Sequence, residues 1–207
     1  MLALETIGVF FAASIALALA PGPDNLFVLA QSALYGKKAG LSVTLGLCTG
    51  LFVHTAAVAL GVAVIFQTSE FAFVTLKLVG AAYLLYLAYG AFNAGASSGG
   101  KTPESSSARE LYLRGIIMNA TNPKVALFFL AFLPQFTDPS LGSVTVQIVF
   151  LGGLFLLATL WVFGSIALFS GGISERFISA PRAQVVLNKL AAIVFGILAL
   201  RLILLGR

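Results

Sequence analysis

The sequence predicts an all-α integral membrane protein with six transmembrane helices in two inverted three-helix repeats. Of its 207 residues, 59% are hydrophobic and only 9% are charged, whereas a soluble domain carries about 25% charged residues. The mean hydropathy is +1.04. Such a chain has too little polar surface to face water. Its length holds six spans of roughly 20 apolar residues each and leaves no room for a separate soluble domain.

Six apolar stretches separated by polar turns give the predicted spans. They cover about residues 7–34, 41–66, 71–92, 111–136, 144–169 and 185–205. Residues 1–92 form the first predicted repeat and residues 111–207 the second, joined by a flexible Gly- and Ser-rich linker at 93–110. Each repeat holds an odd number of helices, so the two would enter the membrane from opposite sides. The first stretch is predicted to be retained, since Glu5 but no Lys or Arg precedes it.

Basic residues are distributed unequally between the two sides of the predicted membrane protein. Eight lie after spans one, three and five, and three lie on the opposite side: Lys37, Lys38, Lys101, Arg109, Arg114, Arg176, Arg182 and Lys189 against Lys77, Arg201 and Arg207. The positive-inside rule therefore predicts a cytoplasmic linker and termini outside. The net charge of +5 reflects this orientation, and the absence of a basic stripe argues against a nucleic-acid partner.

Two short polar strings interrupt the apolar pattern at equivalent places in the two halves. One is Pro-Gly-Pro-Asp-Asn at 21–25, and the other is Asn-Ala-Thr-Asn-Pro-Lys at 119–124. At an offset of 100, Pro23 matches Pro123 and Asp24 matches Lys124. Prolines and ionisable residues are costly at membrane depth and usually mark a binding or coupling site. These strings are therefore the predicted functional site.

The prolines predict broken helices in spans one and four. Proline lacks an N–H and displaces the carbonyl four residues before it. Pro21 would free the carbonyl of Leu17, and Pro23 that of Leu19. Pro123 would free the carbonyl of Asn119. Freed carbonyls at membrane depth need a partner, and Gly22 permits a close approach of the backbone. Helix N-terminal amides could hold a carboxylate, and carbonyls with Asp24 could hold an ammonium group. An ordinary packing kink is the alternative interpretation.

The polar side chains at the breaks leave several roles open. Asp24 and Lys124 could neutralise each other across a pseudo-two-fold axis. Such a pair could be a static salt bridge or a gate that is opened by substrate or by a proton on Asp24. Asn25, Asn119 and Asn122 offer amide groups that could cap the broken helix ends or contact a ligand.

Span two carries a second set of candidate residues. Gly46, Gly50 and His54 recur every fourth residue and so share one helix face. The two glycines predict close helix packing, which points His54 at a neighbouring helix, as a packing residue or a proton relay. Cys48 is predicted to be a small core residue. The sequence holds no metal-ligand cluster, nucleotide motif or catalytic set, which predicts a gradient-driven protein with no metal or cofactor and no enzyme activity.

The sequence resembles the LysE/RhtB family of amino-acid exporters. The matching residues are the string at 21–25, Gly46, Gly50, His54, and residues 80–84, 119–129 and 133–136. The resemblance implies a bacterial inner-membrane protein that exports amino acids or close derivatives, coupled to the proton motive force. It carries the transport role to Pro21, Gly22, Pro23, Asp24, Asn25, Asn122, Pro123 and Lys124.

Two other functions are compatible with the same pattern. A membrane assembly subunit would use the breaks and glycine faces for helix association alone, and a passive channel would let small solutes through without coupling. The predicted partners of the exporter are an amino-acid substrate, protons and the lipid bilayer. A homodimer is compatible with the small-residue faces.

Overall fold

The computed structural model is all-helical over the residues it describes, which are 2–20, 22–68, 70–94, 106–169 and 180–204. Within these ranges the α-helices are α1 (Leu4–Leu19), α2 (Pro23–Tyr35), α3 (Lys37–Thr68), α4 (Glu70–Asn93), α5 (Ala108–Ala120), α6 (Pro123–Leu127), α7 (Val144–Phe169) and α8 (Pro181–Leu204). A π-helical turn (Phe128–Phe132) and a 3₁₀ turn (Leu133–Phe136) continue α6, and a further 3₁₀ turn covers Pro139–Leu141. The predicted all-α class is confirmed.

The described residues contain two to four candidate membrane spans by length and composition. Lys37–Gly61 of α3 and Val144–Phe169 are each long and apolar enough to cross a membrane. The pair α1 and α2, and the pair formed by α5 with Pro123–Phe136, qualify if each bent pair is one span. The predicted third and sixth spans fall on α4 and α8, whose apolar parts are the shorter segments Leu78–Asn93 and Asn188–Leu200.

Both helix breaks occur at the polar strings. The chain bends by 63° between α1 and α2 and by 46° between α5 and Pro123–Phe136. Pro23 and Pro123 each lie in the first turn of the following helix, where a missing N–H costs no hydrogen bond. The residues before them cap the helices differently. The Asn122 side chain accepts a hydrogen bond from the Lys124 amide (3.0 Å), whereas Gly22 has no side chain to do so. Pro21 lies outside the described residues.

Two predicted boundaries differ from the structure. The linker was expected to extend to residue 110, but α5 begins at Ala108 because Ser107 and Glu110 form a capping box. The amide of Ser107 donates to the Glu110 carboxylate (2.8 Å). Residues 95–105 of the predicted linker lie outside the described residues. Helix α8 begins at Pro181, before the expected residue 185, since proline is favourable at the first helical position.

Two packing features position the site. Helix α3 packs against α5 and α7, and α4 packs against α8. On the side of the breaks towards the start of α1, six buried phenylalanines form a cluster with ring centroids 4.7 to 6.4 Å apart. This phenylalanine cluster consists of Phe10, Phe128, Phe129, Phe132, Phe136 and Phe155. Tilted and edge-to-face contacts within it pack α1 and α7 against the π-helical turn.

Candidate functional site

The two helix breaks contact each other directly. The Asn122 side-chain amide donates a hydrogen bond of 2.7 Å to the Asp24 carboxylate. Both side chains are buried, with exposed fractions of 3% for Asp24 and 7% for Asn122. This bond joins the first turn of α2 to the N-cap of α6, so residues almost 100 positions apart in the sequence form one site.

The ammonium group of Lys124 holds the broken end of α1. It donates hydrogen bonds to the carbonyls of Leu17 (3.2 Å) and Ala20 (3.1 Å). The Leu17 carbonyl is one of those that the sequence predicts to be freed, because Pro21 has no N–H to offer it. A cation from the second half of the chain therefore satisfies carbonyls exposed by the break in the first half.

Asn25 satisfies another carbonyl of the same broken end and keeps one atom free. Its side-chain amide donates to the Ala18 carbonyl (2.7 Å). Its side-chain oxygen has no hydrogen-bond partner, and the residue is 8% exposed. A buried amide oxygen without a partner is a ready acceptor for a ligand N–H or O–H group.

His54 supports the second break. Its Nε2 lies 2.9 Å from the Asn119 carbonyl, and because a carbonyl can only accept, Nε2 is the donor. The same carbonyl accepts from the Asn122 amide (2.9 Å). It is the carbonyl freed by Pro123, and the histidine ring also packs on Phe129 at 5.7 Å. This geometry favours the packing interpretation of His54.

Asp24 faces a small void rather than a direct partner on its second oxygen. This oxygen accepts no hydrogen bond, and Asp24 lines a void of about 10 Å³ together with Asn119 and Lys124. The void is close to the smallest volume that holds one water molecule. The carboxylate therefore has an open acceptor position between the two breaks, within the electrostatic influence of the Lys124 ammonium.

A larger cavity of about 590 Å³ lies on the other side of Lys124. It is bounded by the break, by α2 and by the ends of α4, α7 and α8 nearest the predicted linker. The lining residues are Leu19, Ala20, Gly22, Pro23, Asn25, Leu26, Leu29, Tyr86, Leu87, Gly90, Ala91, Ala94, Lys124, Ile166, Asn188 and Phe195. Its size and largely apolar wall are typical of a small-molecule site.

The sequence did not single out several of these lining residues. Asn188 of α8 donates from its side-chain amide to the Ala94 carbonyl at the end of α4 (3.1 Å), and Tyr86 and Leu87 line the cavity. A single sequence gives no signal for a wall made by residues from six separate helices. In contrast, the prolines and charges of the breaks violate the apolar pattern and so are visible in the sequence.

Apart from Pro123, the described candidate residues of the sequence fall into three groups. Gly22, Pro23, Asn25 and Lys124 line the cavity, while Asp24, Asn119 and Asn122 lie behind it at the junction of the breaks. Pro123 begins α6. His54, Gly46 and Gly50 lie at the contact of α3 with α5. The part of the chain that the structure describes contains no group of three metal-binding side chains.

Comparison with known proteins places this chain in a family. The sequence profile of the LysE type translocator family matches residues 15–206. The chain belongs to the LysE type translocator family. Members of this family are transporters, so the prediction that the chain is not an enzyme is confirmed.

Curated relatives cover most of the chain. It is 32% identical over 191 residues to the uncharacterized membrane protein YrhP of Bacillus subtilis, covering 86% of this chain and 90% of the relative. It is 32% identical to the homoserine/homoserine lactone efflux protein of Salmonella typhimurium, covering 84% of each. It is 30% identical to the leucine efflux protein of an Enterobacter species, covering 95% and 92%. No solved structure matches the chain. The chain is a multi-pass membrane protein.

Proposed function

We propose that this protein is a secondary transporter that exports amino acids or close derivatives across the bacterial inner membrane, coupled to proton influx. The observation that carries the proposal is the junction of the two helix breaks. There a buried carboxylate, Asp24, and a partly buried ammonium group, Lys124, lie beside a cavity of about 590 Å³. Ionisable groups at broken helices next to a cavity are characteristic of substrate and coupling-ion sites in transporters.

The names of the relatives support amino-acid substrates. Two relatives are named for the efflux of homoserine or its lactone and of leucine. Identities of 30 to 32% over more than four fifths of each chain favour a common transport mechanism, with substrate choice left to the cavity wall.

Six spans in two inverted repeats explain the packing of the helices. In this arrangement span two (α3) corresponds to span five (α7), and span four, which begins with α5, corresponds to span one (α1 and α2). The contact of α3 with α5 therefore corresponds to the contact of α7 with α1 and α2. The contacts of α3 with α7 and of α4 with α8 map onto themselves. The matched breaks then face each other at the pseudo-two-fold axis, as repeat-built transporters require.

The cavity and the phenylalanine cluster lie on opposite sides of the breaks, as expected for alternating access. The cavity extends towards the ends of α4 and α7, which the positive-inside rule assigns to the cytoplasm. The phenylalanine cluster closes the other side. Substrate would enter from the cytoplasm and contact Lys124, and the two halves of the protein would then separate on the outer side. Once the substrate has left, a proton from the outside would bind at the open acceptor position of Asp24 and would be released to the cytoplasm when the cavity reopens inward.

The test is export by cells loaded with dipeptides that cover the twenty amino acids. We expect one or a few amino acids to accumulate outside cells with the protein, and dissipation of the proton gradient to stop it. Asp24→Asn should insert normally and lose coupled export, because an amide cannot take up the proton. Asp138→Asn is the matched control. Hydrogen bonds from the Ser140 side chain and backbone keep the pKa of Asp138 below its ordinary value, so this exposed carboxyl group is charged at neutral pH and Asp138→Asn removes a charge away from the breaks.

Three outcomes would contradict the proposal in different ways. Normal coupled export by Asp24→Asn would remove Asp24 from the coupling step. Flux that does not saturate and ignores the proton gradient would identify a passive channel. No difference across the whole panel, with insertion verified, would instead support an assembly subunit.

A further inference from the structure

The walls of the cavity present a cation to a ligand and no described anion. Of the sixteen described residues that line it, Lys124 is the only charged one. Asp24 does not line the cavity, because its carboxylate points to Asn122 and to the small void behind the break. A ligand in the cavity therefore contacts the Lys124 ammonium group directly, whereas the cavity wall separates it from the Asp24 carboxylate.

Lys124 keeps a donor for a ligand. An ammonium group has three N–H donors, and the contacts with the Leu17 and Ala20 carbonyls occupy two of them. Gly22 leaves this group uncovered, since a Cβ at that position would lie 3.4 Å from Nζ. A free donor on a charged nitrogen in an apolar cavity fits a carboxylate, through a charge-assisted hydrogen bond.

The buried, unpartnered oxygen of Asn25 lies near the Lys124 ammonium group, with Gly22 between them. A Cβ at Gly22 would lie 3.9 Å from this oxygen and 3.4 Å from Nζ. An amide oxygen accepts a hydrogen bond from an ammonium group or from a hydroxyl group. Because this oxygen carries no full negative charge, the site does not require an ammonium group on the ligand.

We propose that the cavity recognises its ligand by the carboxylate, so that 2-hydroxy acids with apolar side chains are ligands alongside uncharged amino acids. Lys124 binds the carboxylate, and Asn25 accepts from the 2-ammonium or the 2-hydroxyl group. The side chain lies against the apolar wall of Leu26, Leu29, Leu87 and Phe195. A cationic side chain is rejected, because it would lie against this apolar wall without a described acid to pair with. This inference rests on the proposed function and adds a second class of ligand.

The test is competition for binding to the purified full-length protein, with L-leucine as the labelled ligand. The competitors are L-2-hydroxy-4-methylpentanoate, L-leucinamide and L-lysine. The hydroxy acid, which keeps the carboxylate, should compete within roughly tenfold of leucine, as expected where one neutral hydrogen-bonding group replaces a charged one. Leucinamide and lysine should compete at least roughly tenfold more weakly than leucine, since each brings a net positive charge into a cavity whose described lining carries the Lys124 cation and no anion.

A variant series assigns the effect to Lys124. Lys124→Gln should weaken leucine and the hydroxy acid together and should reduce the preference over leucinamide, whereas Lys124→Arg, which keeps the cation, should preserve the order of the ligands. Lys189→Gln is the matched control, because it removes the same charge from an exposed position of α8. If Lys124→Gln does not fold, the order of the four ligands on the native protein still decides the proposal.

The outcomes separate this inference from the proposed function. Equal competition by leucinamide, or no competition by the hydroxy acid, would overturn carboxylate recognition. Equal competition by lysine would overturn the rejection of cationic side chains. Each of these results would leave amino-acid export intact. No leucine binding would overturn the inference, and the dipeptide panel would show independently whether another amino acid is exported. No export and no binding would contradict both.

Discussion

At the scale of single residues, the breaks are stabilised by side chains from the opposite half of the molecule. The carbonyl of Leu17 accepts from Lys124, and the carbonyl of Asn119, freed by Pro123, accepts from His54 and from the backbone amide of Asn122. An unpaired carbonyl in an apolar environment costs as much as a lost hydrogen bond, so these contacts stabilise the broken helices in the membrane.

The contact of His54 with Asn119 gives a prediction that separates its two interpretations. His54→Phe removes the donor and should lower the stability by about 1–3 kcal/mol, the cost of a buried group left partly unsatisfied. His54→Gln keeps an N–H donor and should recover most of that stability and retain export. Thermal unfolding in detergent and the export assay measure the two effects.

The His54→Gln variant distinguishes a packing role of His54 from a role as a proton relay. Glutamine does not titrate near neutral pH, so it cannot relay protons. Loss of coupled export in a stable His54→Gln protein would identify His54 as a proton relay and contradict the packing role that the hydrogen bond indicates.

The sequence predicts which residues belong to the site better than it predicts their partners. Prolines and charges inside apolar stretches are costly, and this cost made Asp24, Lys124 and the prolines visible. The sequence suggested that Asp24 and Lys124 neutralise each other. In the structure the Asp24 carboxylate accepts from Asn122, and Lys124 donates to backbone carbonyls. Such partners depend on how two helices pack across about 100 residues of sequence, which no local pattern encodes.

At the scale of helices, glycines set how closely α3 approaches α5. A Cβ at Gly46 would clash with the Tyr112 carbonyl and lie 3.0 Å from the Cα of Gly115, and a Cβ at Gly50 would lie 2.7 Å from the Cβ of Asn119. This close approach also brings His54 within reach of the Asn119 carbonyl. The glycine face of α3 thereby positions the second break.

Substitution of one glycine tests this close approach. Gly46→Ala should lower the stability by about 1–3 kcal/mol, because overpacking forces the two backbones apart. It should also weaken export by moving His54 away from Asn119. The matched control is Gly61→Ala on the same helix, where a Cβ would meet nothing within 4 Å. Thermal unfolding of the two proteins and of the native one measures the difference.

The control fixes the interpretation of the glycine experiment. Alanine is a better helix former than glycine by roughly 0.5–1 kcal/mol, so Gly61→Ala should be neutral or slightly stabilising. Equal stability of Gly46→Ala and Gly61→Ala would mean that the α3–α5 contact tolerates a wider spacing and that the glycine face does not position the break.

Helix ends were predictable where a local signal exists. The capping box of Ser107 and Glu110 follows the sequence pattern Ser-x-x-Glu, which could have placed the start of α5 at Ala108. The π-helical turn Phe128–Phe132 has no such signal. It depends on the packing of its phenylalanines against α1 and α7, which is a property of the folded protein.

At the scale of the whole molecule, the site divides the protein into an open side and a packed side. The cavity lies on the side of the breaks towards the predicted linker, and the phenylalanine cluster fills the other side. The composition predicted the all-α membrane class, because a chain with few charged residues has few other solutions. It could not predict on which side of the breaks the empty volume lies, because that depends on how the helices pack in the folded protein.

The division into an open and a packed side predicts which positions react with a thiol reagent. In a Cys48→Ala background, which removes the native buried cysteine, Ala91→Cys in the cavity should react with a membrane-impermeant maleimide added from the cytoplasmic side. Ala13→Cys, buried on the side of the phenylalanine cluster, should react much more slowly from the outside. Both substitutions change a small side chain by one atom, so packing is little disturbed. An exported amino acid should protect Ala91→Cys from the maleimide, because it occupies the same cavity.

Two results would contradict an inward-open cavity. They are labelling of Ala13→Cys from the outside that is faster than labelling of Ala91→Cys from the cytoplasmic side, and labelling of Ala91→Cys that substrate does not slow. Either result would mean that the transport path runs elsewhere in the protein.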